Sequence, residues 1–229
     1  MILNPFVFQD KASIVLRAML RDPTRKWVAR DFVQEYGVSI GLVAKVLREL
    51  RNRGFIEGKD RGRLAEAVLR GRDDILKQWT SFYSMEKNKF VVLYSEQKDI
   101  LKHLKNYFEK KSEKSSTFAL TLHSGANLLT GMHVRDSNMY LYMNFTRFKE
   151  NVLKLRQALN LKELKQGGNV FIFNPYYKNS VFFTHRSVQG FPVVSDLQLY
   201  LDLFHFPQRG LEQAEMLLRV LKQKRKHLG

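Results

Sequence analysis

Met139-Tyr140-Leu141-Tyr142-Met143 is a run of five bulky side chains without polar alternation. Successive side chains of a strand point to opposite faces, so such a run is either buried on both faces or gives one face to a partner. Neighbouring stretches have the same habit. Lys89–Tyr94, Thr117–Leu122, Asn169–Asn174 and Ser180–His185 read as strands, and Arg186–Val194 as a hairpin turning at Gln189-Gly190. Helical periods fall between them: from a Ser95 cap to about Lys111, Ser124–Leu129, Arg147–Leu159, a helix capped by Ser195 and broken by Pro207 and Gly210, and Leu211 to about Lys226. Residues 84–229 are therefore predicted to form an α/β domain around a mixed sheet.

Residues 1–83 have a different grammar. Ile14, Val15, Ala18 and Met19 mark a helix from about Asp10 to Arg21, stopped by Asp22-Pro23. A second, Val28–Tyr36, ends at Gly37, and Ser39 is placed to cap a third whose stripe is Ile40, Val43, Leu47 and Leu50. After Gly54 come a short strand Phe55–Glu57, a turn Lys59–Arg63 and a return strand Glu66–Leu69. Three helices and a two-stranded ribbon predict a winged helix-turn-helix. The fold class expected for the chain is α/β (α+β): an N-terminal winged helix-turn-helix, residues 1–83, followed by the mixed-sheet domain, with Ser84–Lys89 as the joint.

Charge then bears on function. Lys and Arg number 39 against 22 Asp and Glu, a net +17, and a field of that sign gathers nucleic acid first and an anionic membrane surface or acidic partner second. Residues 1–83 hold 16 basic and 10 acidic residues, net +6, which leaves +11 for residues 84–229. In a helix-turn-helix the second helix of the pair presents its N-terminal residues to base edges. Opposite the apolar stripe lie Gly41, Lys45, Arg48 and Asn52, with Ser39 and Leu42 at the tip, and the wing adds Lys59, Arg61 and Arg63. From Lys45 to Arg63 there are seven basic and three acidic residues. These nine side chains are the candidate contacts to double-stranded DNA. The bland alternative is a solvated face on a protein-interaction module.

A resemblance then becomes specific. Pro192–Leu203, followed by Gln208-Arg209-Gly210-Leu211-Glu212-Gln213-Ala214-Glu215, is similar to the closing signature of AbiEi-type antitoxins of type IV toxin–antitoxin systems. Ala119-Leu120-Thr121, Tyr140-Leu141-Tyr142, Gly168-Asn169-Val170, Asn174-Pro175-Tyr176 and Val181-Phe182-Phe183 follow the same pattern in order. Asp202, Arg209 and Gly210 are the most distinctive positions. The resemblance implies an N-terminal domain that represses its own promoter, a C-terminal domain that counteracts a nucleotidyltransferase-like toxin, and no enzymatic activity.

Other chemistries find little support. With no cysteine there is neither a disulfide framework nor a thiolate nucleophile. Histidines 103, 123, 133, 185, 205 and 227 lack metal-ligand spacing, and no cofactor is expected. Gly167-Gly168 precedes a strand, so it reads as a turn rather than a phosphate loop. His123-Ser124-Gly125 lacks the elbow of a serine nucleophile. A nuclease needs clustered carboxylates, and Glu96 alone follows the first strand of the second half. Asp196 suits a helix start, and Asp202 is expected to pair with Arg209 across Pro207. Pro5–Phe8 is too short for a signal-peptide core and no run reaches the roughly 20 residues of a membrane span, so a cytoplasmic protein is expected. The rival readings are a nucleic-acid-processing enzyme delivered by the winged helix, and a ligand-sensing regulator. Oligomeric state is left open.

Overall fold

The computed structural model describes residues 1–59, 65–110, 118–131 and 137–223. The described chain packs as two compact units, one of Met1–Ser84 with residues 221–223, the other of Met85–Val220.

The first unit begins with a 3₁₀ turn, Pro5–Phe8, and α1, Asp10–Arg21, which buries Ile14, Val15, Ala18 and Met19 as their period requires. α2 spans Ala29–Tyr36 and α3 Ile40–Asn52. The buried face of α3 is Val43, Val46, Leu47 and Leu50. Ile40, expected on that stripe, is 54% exposed and stands as the first residue of the helix. β1, Ile56–Glu57, pairs antiparallel with β2, Val68–Leu69, and Trp27 adds one more bridge to Ala67. Stacking of Trp27 on Phe32, centroids 4.8 Å apart, fixes α2 to this ribbon. A helix absent from the sequence reading, α4 at Arg72–Phe82, follows and buries Ile75, Leu76 and Trp79. The guanidinium of the buried Arg17 lies 5.2 Å from the centroid of the Trp79 ring, a cation over an aromatic face.

The second unit is built on a six-stranded mixed sheet. Its elements run β3 (Lys89–Leu93), α5 (Ile100–Lys110), β4 (Phe118–Leu120), α6 (Leu122–Thr130), β5 (Met139–Met143), α7 (Phe148–Ala158), β6 (Val170–Asn174), β7 (Arg186–Val188), β8 (Phe191–Val193), α8 (Asp196–Phe204) and α9 (Gly210–Gln223). Strand order is β3-β6-β5-β4-β8-β7. β5/β6 and β4/β8 are parallel, and the other pairs antiparallel. β5 lies inside the sheet and is buried at all five positions, with α6 and α7 packed on it. That accounts for its unbroken apolar run.

Three sequence expectations give way here. Ser180–His185 is a succession of turns, not a strand: Val181 N donates to Tyr177 O at 3.0 Å and Phe183 N to Ser180 O at 3.0 Å, so the backbone is satisfied locally. α5 starts at Ile100 rather than after Ser95. The Asn169 side chain holds both backbone groups of Ser95, accepting from its N at 2.8 Å and donating to its O at 2.9 Å, which keeps it out of a helix. α6 begins two residues ahead of the expected Ser124, and Thr117 lies outside the described residues. The hairpin does turn at Gln189-Gly190, with φ of 52° and 85°, the pair of positive angles that a type I′ turn needs. The Ser195 hydroxyl caps α8 by accepting from Gln198 N at 3.2 Å. Residues 111–117 and 224–229 lie outside the described residues.

Candidate nucleic-acid interface

α3 exposes Gly41, Lys45, Arg48 and Asn52 opposite its buried face, spaced four, three and four residues apart and so in one line along the helix. Ser39 is exposed and holds the N-cap position, yet its hydroxyl makes no capping bond; its carbonyl accepts from Val43 N at 3.0 Å instead. Leu42 is half-buried beside it. A Cβ built on Gly41 would meet nothing within 4 Å. Packing inside the chain therefore does not require a glycine there.

The cations nearby divide into engaged and available groups. Arg53 Nε bonds Glu49 at 3.1 Å, and Glu49 also accepts from Asn4 N at 3.0 Å. Arg51 reaches the carbonyl of Glu66 at 3.3 Å. Arg70 pairs with Glu57 and Lys26 with Glu66. Lys45 Nζ rests 4.4 Å from the centroid of the Phe6 ring. Arg48 and Lys59 are exposed, with no ion pair to either among the described residues. The basic stripe is thus narrower than its sequence count. Arg61 and Arg63, expected on the wing, lie outside the described residues. Behind α3, the Arg25 guanidinium bonds Glu35 and holds that carboxyl below the ordinary carboxylate range.

The second unit contains a buried polar centre that sequence reasoning missed. The Asp202 carboxylate, fully buried, accepts from Thr121 Oγ1 at 2.5 Å, Tyr142 OH at 3.0 Å and Gln198 Nε2 at 2.8 Å. The expected Asp202–Arg209 pair does not form. Arg209 binds Glu212 at 2.6 Å on the surface, because it lies on the exposed turn while Asp202 points inward. Gln198 and Asp202 are a polar i, i+4 pair inside a helix that is apolar at most other positions, and that was the available signal. A Cβ at Gly210 would clash with Leu203 O, which explains the glycine after Arg209. His123, also buried, lies between Gln213 Oε1 and Gln208 O, the latter at 2.6 Å. Ser124 serves the backbone of β5, accepting from Tyr140 N at 2.9 Å. Asp196 stands in the first turn of α8, paired with Arg186.

The residues named for rival chemistries are placed otherwise. Glu96 is exposed and paired with Lys162 at 2.6 Å. Among the described residues no three His, Asp or Glu side chains gather as metal ligands, and no helix is long and apolar enough to cross a membrane. Residues 68–223 match a family model described as "Transcriptional regulator, AbiEi antitoxin, Type IV TA system". No curated protein and no solved structure matches the chain.

Proposed function

The chain belongs to the AbiEi antitoxin family of transcriptional regulators from type IV toxin–antitoxin systems, and from that premise we propose that it is an autorepressing antitoxin acting in the cytoplasm without catalysis. Residues 1–83 act as a winged helix-turn-helix on the double-stranded DNA of the protein's own promoter. Residues 84–229 form the domain that counteracts a nucleotidyltransferase-like toxin.

The observation that carries the DNA reading is the exposed line Gly41–Lys45–Arg48–Asn52 on a helix whose other face is buried. Docked by its N-terminal end, α3 brings Ser39, Gly41 and Leu42 to the base edges. Lys45 and Arg48 then reach phosphate or guanine, Asn52 meets the backbone further along, and Lys59, Arg61 and Arg63 follow it from the wing. The matched family region begins at Val68, so this half rests on unit geometry and charge. The antitoxin half rests on the family match.

Binding of a fluorescent duplex from the protein's own promoter tests the first half, with the Lys45→Ala/Arg48→Ala double variant as the control. Saturable binding that the double variant loses, with its melting unchanged, is the expected result. Equal binding by both proteins refutes the docking.

A further inference from the structure

Three aromatic side chains are exposed among the described residues: Phe90 at 56%, Phe145 at 39% and Tyr176 at 39%. They are far apart in sequence and close in topology. Phe90 is at the amino end of β3, in register with Phe173 of β6. Tyr176 follows the carboxyl end of β6, and Phe145 follows the carboxyl end of β5, the strand parallel to it. All three therefore lie at one end of three adjacent strands, a width of about 10 Å. In sheets with helices on their faces, ligands bind outside the carboxyl ends of parallel strands.

Cations accompany two of the rings. Lys87 Nζ is 5.5 Å from the Tyr176 centroid and Lys178 Nζ is 5.9 Å from that of Phe145. Segments 85–90, 144–149 and 174–179 together hold five cations and one acid, Glu86. The buried Asn88 ties two of these segments together: its Oδ1 accepts from Tyr176 N at 2.7 Å, while its Nδ2 donates to Met85 O at 2.9 Å. These bonds fix Tyr176 relative to the start of β3.

We infer that this end of the sheet is a binding site for unpaired nucleotides of a single-stranded nucleic acid, whose bases stack on Phe90, Phe145 and Tyr176 while Lys87 and Lys178 hold the phosphates. Neither partner chemistry suffices alone. An acidic protein would use the lysines and gain nothing specific from three separated rings, whereas an apolar protein would have to desolvate the lysines. A strand with a π-face on every base and a charge on every phosphate uses both. The width suits two or three bases, as on other sheet platforms. This site lies in the second unit and does not depend on the promoter reading.

The test is fluorescence anisotropy of the full-length protein with short oligo(U), short oligo(dT) and the promoter duplex. Tyr176→Ala is expected to weaken the single-stranded complexes about tenfold. Tyr176→Phe should restore them, and duplex binding should be unchanged throughout. Lys178→Gln should weaken them and reduce the salt slope by about 0.7. Equal affinity for the two oligomers assigns recognition to bases and phosphates; tighter oligo(U) adds a contact to the 2′-hydroxyl; both support the site. Failure of both oligomers to bind overturns it, as does unchanged affinity in a folded Tyr176→Ala protein. Loss of affinity that tracks a change of oligomeric state in size-exclusion chromatography assigns the patch to a second copy of the chain and likewise overturns it.

Discussion

Lys45 Nζ stands 4.4 Å from the centroid of the Phe6 ring, so the cation at the middle of the exposed α3 face is held by an aromatic rather than by a carboxylate. A ring attracts an ammonium at an exposed site by only about 0.5–1 kcal/mol and leaves its charge unneutralised. Lys45 is thus positioned yet still available to a phosphate or a guanine. Lys45→Ala and Arg48→Ala should each weaken promoter binding. A bidentate base contact by either would carry about 1–3 kcal/mol of discrimination at its position. A pure phosphate contact would weaken all duplexes alike and flatten the salt slope by about 0.9. Titrations of operator and scrambled duplex at several salt concentrations separate the two.

Gly41 gives an independent handle on the same surface. No neighbour lies within 4 Å of a Cβ built there, so Gly41→Ala meets no steric penalty in the free protein. Replacing a glycine in the first turn of a helix should stabilise the fold by up to about 0.5 kcal/mol, the low end of the helix-interior range. The same methyl group would stand between α3 and the duplex. The expected signature is a higher melting temperature together with weaker promoter binding. A more stable protein with unchanged DNA affinity would take Gly41 out of the interface.

Asp202 makes a prediction about the second unit. Its carboxylate satisfies three buried donors, from Thr121, Tyr142 and Gln198. Asp202→Ala strands all three at once and should cost about 3–5 kcal/mol in urea unfolding, since each buried group left unmade costs about 1–3 kcal/mol and such losses are not additive. Tyr142→Phe removes one donor and should cost about 1 kcal/mol. Arg209→Ala breaks only the surface contact with Glu212 and should leave the midpoint where it is. A large effect of Arg209→Ala would revive the pairing expected from the sequence.

Acid should weaken the first unit through Glu35. The hydrogen bond from Arg25, its largest influence, lowers its carboxyl below the ordinary value of 4.5. A depressed acid contributes stability that is fully present above its unfolded value and lost as pH falls through the folded one. Glu35→Gln should therefore be less stable than the parent at pH 7, with the difference vanishing in the acid range below 4.5. Because both groups are solvated, the difference should also shrink in high salt. A gap between the two proteins that does not narrow as the pH is taken below 4.5 would refute this assignment.

What was legible in the sequence was what neighbours in sequence determine. Met139–Met143 announced an interior strand because burial on both faces abolishes alternation, and Gln189-Gly190 announced a hairpin because both positions take positive φ. The polarity of α3 followed from its period, and hence so did the exposure of Lys45 and Arg48. Ser180–His185 misled for the same reason that β5 informed: an apolar run does not distinguish a strand from turns packed inward. Of the Asp202 centre only the Gln198 partner is local; Thr121 and Tyr142 are 81 and 60 residues away, and only the fold brings them together. Ser95 departs from the cap its sequence suggests because the side chain that holds its backbone belongs to Asn169, 74 residues on. The platform of Phe90, Phe145 and Tyr176 was hidden likewise, since it exists only in the register of three strands.

The division of labour between the halves supplies the last prediction. Promoter contact is proposed for α3, while the family match covers residues 68–223 and leaves α3 outside it. If repression and toxin relief use separate surfaces, the Lys45→Ala/Arg48→Ala protein should lose repression of a reporter under its own promoter. The same protein should still relieve a co-expressed cognate toxin at matched expression level. Asp202→Ala supplies the reciprocal arm. By loosening the sheet domain it should impair toxin relief before it impairs promoter binding by α3. Reporter activity and growth, measured in the same strains, read both outcomes. Loss of toxin relief in the Lys45/Arg48 variant at full expression would place the antitoxin surface on α3 and refute the separation.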